Sequence, residues 1–490
     1  MNYHGPKETI FELSSPGLTT GFIPACDVAE INPVQEYGTL ARKEDALLPE
    51  VSEVQIMRHY DHLASMNFGV DTGMYPLGSC TMKYNPRINE DTSRLEGFTG
   101  LHPNQPSSMT QGVLELMYEL QKDLCEISGF AAATLQPAAG AHGEYTALAT
   151  FRAAHVARGN ARKKVIIPDT AHGTNPASVA MCGYEVVSIP STNKGLVDVE
   201  ALKEALDEDV AAFMLTNPNT VGMYEPNILA ITEAVHAVGA YAYCDGANLN
   251  AILGVTRPGD VGFDALHINT HKTFSTPHGT GGPGAGPVCV SSDLAAFLPG
   301  PIVIKTGEGT YELSKPAHSL GRVRSFYGNV GVLVRTYTYI KALGAEGIRA
   351  AGEQAVLSAN YLRVKLQDTF DVAYDRICMH EFVLSGARFR HDDKVKTLDI
   401  AKRLLDYGFH PPTIYFPLLV DEAMMIEPTE TESKASLDEF VDAMKAIARE
   451  IKEDPSLAQH APHNTPVKRL DEAMAARNPD VAWKENEGVK

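Results

Sequence analysis

Phe263-Asp264-Ala265-Leu266-His267-Ile268-Asn269-Thr270-His271-Lys272-Thr273-Phe274 passes from a short apolar run to a lysine, and the reading of this stretch decides the fold. A run of this length bounded by polar residues suits a buried strand, which places Lys272 just beyond the strand's carboxyl end. A surface lysine at a strand end would look the same on this stretch alone. The functional alternative is a lysine that anchors an aldehyde cofactor, whose amine needs a desolvated or cationic setting to stay nucleophilic at neutral pH.

Working toward the N-terminus, apolar runs alternate with helical patterns. The runs are Ala240–Cys244, Ala211–Leu215, Glu185–Pro190 and Lys164–Pro168; helices are expected after Glu144, around Val199–Leu206 and over Ile228–Val238. Strands and helices in turn predict βαβ units and a mainly parallel sheet, whose catalytic groups gather at the carboxyl ends of its strands. Before them, Val113, Leu116, Met117, Leu120, Leu124 and Ile127 recur at three- and four-residue steps and predict a helix leading into the core.

Toward the C-terminus a long helix is expected from near Phe326-Tyr327-Gly328 through Val332, Tyr337, Ile340 and Leu343. A smaller α+β unit follows, closed by a helix with Ser436 as N-cap, Glu439 three residues on, and Phe440, Val441, Met444, Ile447 and Ile451 as its apolar face. The expected organisation is an N-terminal arm over 1–100, a large α/β domain over 101–345, a small α+β domain over 346–460 and a polar tail over 461–490. A chain of 490 residues needs more than one packed unit.

Composition excludes several classes. Hydrophobic residues are 44% and charged residues 21% of the chain, close to the soluble globular average. A net charge of −19 argues against nucleic acid or an anionic membrane as partner, since both are held by clustered Lys and Arg. The seven cysteines, Cys26, Cys80, Cys125, Cys182, Cys244, Cys289 and Cys378, lack paired spacing, so neither a disulfide scaffold nor a metal site is expected. A polar start over Met1–Ile10 and the lack of a spanning apolar stretch lead us to expect a cytoplasmic protein.

Four further stretches bear on the chemistry of Lys272. Asp245, in Tyr243-Cys244-Asp245-Gly246, ends an earlier run of the same series; it is either a turn former or a carboxylate that keeps a pyridine nitrogen protonated. His172 in Asp169-Thr170-Ala171-His172 follows another run and could lie flat over such a ring. Gln136–Glu144 offers small residues at a helix start, where free N–H groups can hold a phosphate. Asn217-Pro218-Asn219-Thr220 is either a β-turn or a source of an amide for a phenolic oxygen. Together they describe a covalent anchor, a ring-nitrogen partner, a stacking ring and a phosphate cradle. The segment Gly279–Gly284 formally matches G-x-G-x-x-G, but it leads into the strand-like Val288–Val290 rather than opening a helix, so a dinucleotide site is not expected.

The runs Tyr75-Pro76-Leu77-Gly78-Ser79-Cys80-Thr81-Met82-Lys83, Gly140–Tyr145, His271-Lys272-Thr273-Phe274 and Met425–Ser433 resemble the P-protein family of the glycine cleavage system, in its form split into two chains. The resemblance covers Ser52 to about Lys452. It implies a fold-type-I pyridoxal-phosphate enzyme that decarboxylates glycine and passes the aminomethyl group to the lipoyl arm of the H-protein. It implies a partner too, P-protein subunit 1, with two copies of each subunit. Carried over by residue, Lys272 anchors the pyridoxal 5'-phosphate, Asp245 pairs with its ring nitrogen and His172 stacks on the ring. Ala141, His142 and Thr270 are phosphate candidates, and Asn219 is favoured over Asn217 for the phenolic oxygen. A cysteine desulfurase or aminotransferase would share the Asp and Lys logic, and a split P-protein also has a half without the lysine.

Overall fold

The computed structural model describes residues 8–19, 21, 24–44, 46, 48–279 and 284–483. Residues 280–283 of the glycine-rich segment lie outside them. The chain divides into two compact units, Met1–Gly69 with Pro462–Lys490, and Val70–Ala461. The first unit contains the helix Glu53–Ser65, opened by a reciprocal cap between Ser52 and Gln55, and a stacked Phe11–Trp483 ring pair. Residues 70–100, expected with the arm, belong to the second unit.

That second unit holds a seven-stranded sheet: β1 Ala132–Thr134, β2 Lys164–Pro168, β3 Glu185–Ile189, β4 Val210–Thr216, β5 Tyr241–Gly246, β6 Ala265–Ile268 and β7 Val288–Val290. Their order is β1-β7-β6-β5-β4-β2-β3, parallel throughout except where β7 runs antiparallel to β6 and β1. Every residue of β4, β5 and β6 is buried, because helices cover both faces, and this is why those runs show no polar alternation. One covering layer includes the helix Gln111–Ser128, which buries Val113, Leu116, Met117, Leu120 and Leu124 as its spacing predicts. The helix Gly140–Ala157 covers the other face through Ala147, Leu148, Phe151 and Ala154.

A hairpin, β8 Ile302–Gly307 and β9 Thr310–Ser314, precedes the long helix Val330–Leu366. The helix was expected to run through Leu343 and to close the large domain at residue 345. It breaks at Gly344, where φ 62 and ψ −174 suit a residue without Cβ, and then resumes to Leu366. A four-stranded antiparallel sheet follows, β10 Asp371–Val372, β11 Phe382–Ser385, β12 Thr413–Ile414 and β13 Ala423–Ile426, in the order β10-β11-β13-β12. The closing helix Lys434–Glu453 buries Phe440, Val441, Met444, Ile447 and Ile451 against this sheet's core. Its N-cap is Ser433 and not Ser436: the Ser433 hydroxyl accepts the Ser436 N–H, so the helix starts one turn earlier than its apolar stripe suggests.

The two sheets meet at Gly222. Its φ is +78, its carbonyl accepts the Met379 N–H at 2.8 Å, and a Cβ there would lie 1.9 Å from the Glu381 carbonyl oxygen. Gly222→Ala combines left-handed strain with a backbone collision, and it is expected to destabilise the unit by about 3 kcal/mol. Thermal or urea unfolding of the variant checks this.

Candidate active site

The parallel register sets three polar side chains abreast near the carboxyl ends of neighbouring strands: Thr216 on β4 pairs with Asp245 on β5, which pairs with His267 on β6. Asp245 is fully buried, which by itself raises a carboxyl pKa. The His267 imidazole, hydrogen bonds from Asn175 Nδ2 and the Ala247 N–H, each at 3.0 Å, and the Lys272 charge outweigh that cost and hold the acid below its usual range. The ring of His267 is fixed at both nitrogens, with Nδ1 2.5 Å from Tyr243 Oη and Nε2 2.5 Å from Asn269 Oδ1. Asp245 therefore keeps a negative charge at a site closed to bulk water.

Asp245, Lys272, His172 and Ala141 line one cavity of about 260 Å³. Lys272 sits on the single turn Thr270–Thr273 just after β6, and its Nζ donates to the Ser79 carbonyl oxygen at 2.6 Å. His172 follows β2; its Nδ1 lies 2.9 Å from Thr174 Oγ1, which donates to the buried Glu144 at 2.7 Å, so the imidazole is oriented through a hydroxyl. Ala139, Gly140 and Ala141 bring the start of the eighteen-residue helix Gly140–Ala157 to the cavity, with no side chain capping its first N–H groups. A helix start of this kind attracts an anion.

Three expected residues are not brought there. Asn219 spends its amide on its own loop: Nδ2 donates to the Gly195 carbonyl, and Oδ1 accepts from the Val221 and Met223 N–H groups. It shapes the turn that ends at Gly222 and is not among the residues lining the cavity. His142 likewise bonds the Ala138 N–H through Nδ1 and meets the Val323 carbonyl through Nε2. Thr270 is buried with its hydroxyl on the Ala285 carbonyl at 3.2 Å and adjoins the cavity only through its neighbours Asn269 and His271.

Other lining groups were not assigned from sequence: Ser79, Cys80, Glu144, Thr216, His271 and His278. Ser79 and Cys80 fall within Tyr75–Lys83, a run that carries the family resemblance but shows no strand or helix periodicity that would point it at the cavity. Cys80 is a poor nucleophile, since burial pushes its thiol up and the opposing Lys272 charge does not cancel this. The strap containing it is strained, with φ 63 at Ser79 and φ 42 at Thr81, at about 1–3 kcal/mol each for residues bearing Cβ.

Residues 36–320 match the family Glycine cleavage system P-protein, and residues 351–469 match Glycine dehydrogenase, C-terminal domain. The chain belongs to the glycine cleavage system P-protein family. A relative from Caldanaerobacter subterraneus subsp. tengcongensis, named probable glycine dehydrogenase (decarboxylating) subunit 2, is 56% identical over 478 residues, 97% of this chain and 98% of that protein. A relative of the same name from Listeria innocua is 54% identical over 486 residues, 99% of each. Among solved structures, a glycine decarboxylase (P-protein) of the glycine cleavage system in inhibitor-bound form superposes with a TM-score of 0.72 at 20% identity, covering 84% of this chain and 94% of that one. A cysteine desulfurase from Escherichia coli superposes at 0.60 with 16% identity over 78% and 96%. The fold of this P-protein family member is fold type I of the pyridoxal-phosphate enzymes, and pyridoxal phosphate is its cofactor. Among the described residues, no helix is long and apolar enough to cross a membrane.

The cavity's own chemistry fits that cofactor. Thr216 Oγ1, His271 Nδ1 and His278 Nδ1 are buried without a hydrogen-bond partner although their residues line it, as polar groups awaiting a ligand would be. A Cβ at Gly140 would stand 2.7 Å from the Asn269 amide, so only glycine leaves the helix start open.

Proposed function

We propose that this chain is the cofactor-carrying subunit 2 of a split glycine decarboxylase. It releases CO₂ from glycine and passes the aminomethyl group to the lipoyl arm of the H-protein. The observation that supports this reading is the convergence of the Lys272 amine, the ionised Asp245 and an uncapped helix start on one cavity.

Lys272 would be the covalent anchor, and the charge of Asp245 would keep the ring nitrogen protonated. His172 would stack on the ring, and the backbone of Gly140 and Ala141 would take the phosphate. When bound, pyridoxal phosphate supplies an electron-accepting ring for the pair that the departing carboxylate leaves behind. The protein's contribution is electrostatic: burial makes the Asp245 charge count for far more than it would in water, and Asn175 and the Ala247 N–H prevent it from turning away. Thr174 and Glu144 fix His172, so that its imidazole is held in one orientation.

The partner is subunit 1, with two copies of each chain in the assembly. Bicarbonate–glycine carboxyl exchange is the test, run with this chain alone, with subunit 1, and with lipoylated H-protein added. Exchange that appears with both subunits and rises with H-protein is expected. Turnover of cysteine or alanine in place of glycine would overturn the assignment.

A further inference from the structure

Beneath the Lys272 amine lies a group of buried acids that the reaction described above does not use. Glu381 immediately precedes β11 and Glu427 immediately follows β13, and both are completely buried, as is His380. The two carboxylates carry the strap from Ser79 to Thr81. Glu381 Oε2 accepts the Ser79 N–H at 2.7 Å, and Glu427 accepts the Thr81 N–H at 3.1 Å and the Thr81 hydroxyl at 2.6 Å. Between those two attachments the strap turns the Ser79 carbonyl onto Lys272 Nζ. Gly78 allows the close approach, since a Cβ there would lie 2.3 Å from the Met425 side chain.

A third attachment lies just beyond. Buried Lys83 donates to Glu430 at 2.6 Å, to Asn250 Oδ1 at 2.9 Å and to the Thr273 carbonyl at 3.0 Å, so the same segment also grips the turn that bears Lys272.

The two acids differ in what they face. Both oxygens of Glu427 receive donors, which favours its ionised form. Glu381 has one oxygen without a partner, and that atom faces His380 Nε2 at 3.5 Å, which is itself without a partner. Two opposed lone pairs repel, and one proton between them satisfies both. Burial acts in the same direction on Glu381, raising it well above the usual carboxyl range, and lowers the His380 imidazole to about 3; on Glu427 burial raises the carboxyl to about 7 against the opposing pull of its Thr81 donors and the Lys272 charge. The titratable groups facing this pair are Lys272, Cys80 on the strap, His380 beside Glu381, and Glu430.

We infer that Glu381 and Glu427 are positioning residues for the Lys272 amine: together they suspend the strap whose Ser79 carbonyl fixes Nζ, with Glu381 carrying a proton toward His380 and Glu427 supplying the negative charge that the amine faces. This rests on the reading of Lys272 as the cofactor anchor, and it adds that the small sheet sets where that amine stands and which charge it faces.

The test is pH-dependent amine labelling of Lys272 in the cofactor-free full chain, read by peptide mass spectrometry, beside cofactor retention of the loaded chain. Glu427→Gln can still accept the Thr81 N–H through its amide oxygen and donate its NH₂ to the Thr81 hydroxyl, but it removes the charge, and is expected to lower the labelling midpoint by about one pH unit. Glu381→Gln replaces a protonated acid by an amide of the same shape and is expected to leave the midpoint in place. Glu381→Ala releases Ser79 and is expected to weaken cofactor retention about tenfold, with glutamine restoring it. Equal shifts in the two glutamine variants, no shift in Glu427→Gln, or full retention in Glu381→Ala would overturn the inference. Labelling reads Lys272 whether or not it is the anchor, whereas borohydride trapping of the cofactor on another lysine would overturn the anchor assignment separately.

Discussion

Lys272→Ala is expected to abolish the visible absorbance band of the lysine-bound cofactor and to lower glycine–bicarbonate exchange by at least about a thousandfold. Lys272 is the lysine among the residues lining the cavity. A second buried amine, that of Lys83, is committed to Glu430, Asn250 and the Thr273 carbonyl, and it cannot leave without stranding a largely buried acid. Lys272→Arg serves as the control: it keeps a cation against the Ser79 carbonyl but offers no nucleophile, so its folding should be spared and its band lost. Borohydride reduction of the loaded wild-type chain, followed by peptide mapping, should place the label at residue 272. A band that survives in Lys272→Ala would show that another amine carries the cofactor.

The sequence made the large sheet legible because its strands are short, uniformly apolar and separated by helices, a pattern with few topological solutions. Lys272, Asp245 and His172 were legible for the same reason, since each follows a strand and parallel strands end on one edge. Asn219 and His142 fall outside the cavity lining; sequence places a polar side chain near a strand end or helix start without showing which way it bonds. Asn219 turned inward to build the loop around Gly222, and His142 turned back to Ala138 and Val323. The strap was invisible as chemistry. Its attachments join residues about three hundred positions apart, Ser79 to Glu381 and Thr81 to Glu427, and no local periodicity encodes such a pairing. The closing helix shows the smaller version of this limit: its apolar face was read correctly, while its cap, a matter of a single hydroxyl at Ser433, lay one turn away.

Asp245→Ala is expected to reduce exchange by about a hundredfold or more while leaving the cofactor attached to Lys272. The carboxylate's value lies in a charge that survives full burial, and the structure shows what sustains it: the His267 ring on one side, Asn175 and the Ala247 N–H on the other. Removing the acid costs stability as well, because Asn175 Nδ2 and the Ala247 N–H lose their acceptor in a dry setting, at about 1–3 kcal/mol for each group left unpaired. Asp245→Asn separates the two effects. Its amide oxygen can still accept from the Ala247 N–H, so it should unfold closer to wild type, yet without the charge its exchange should stay near that of the alanine variant. The visible spectrum supplies an independent readout, since a ring nitrogen that has lost its anionic partner absorbs differently at the same pH. Exchange within about threefold of wild type in both variants would mean that Asp245 only shapes the turn after β5, and that the ring nitrogen is served by another group.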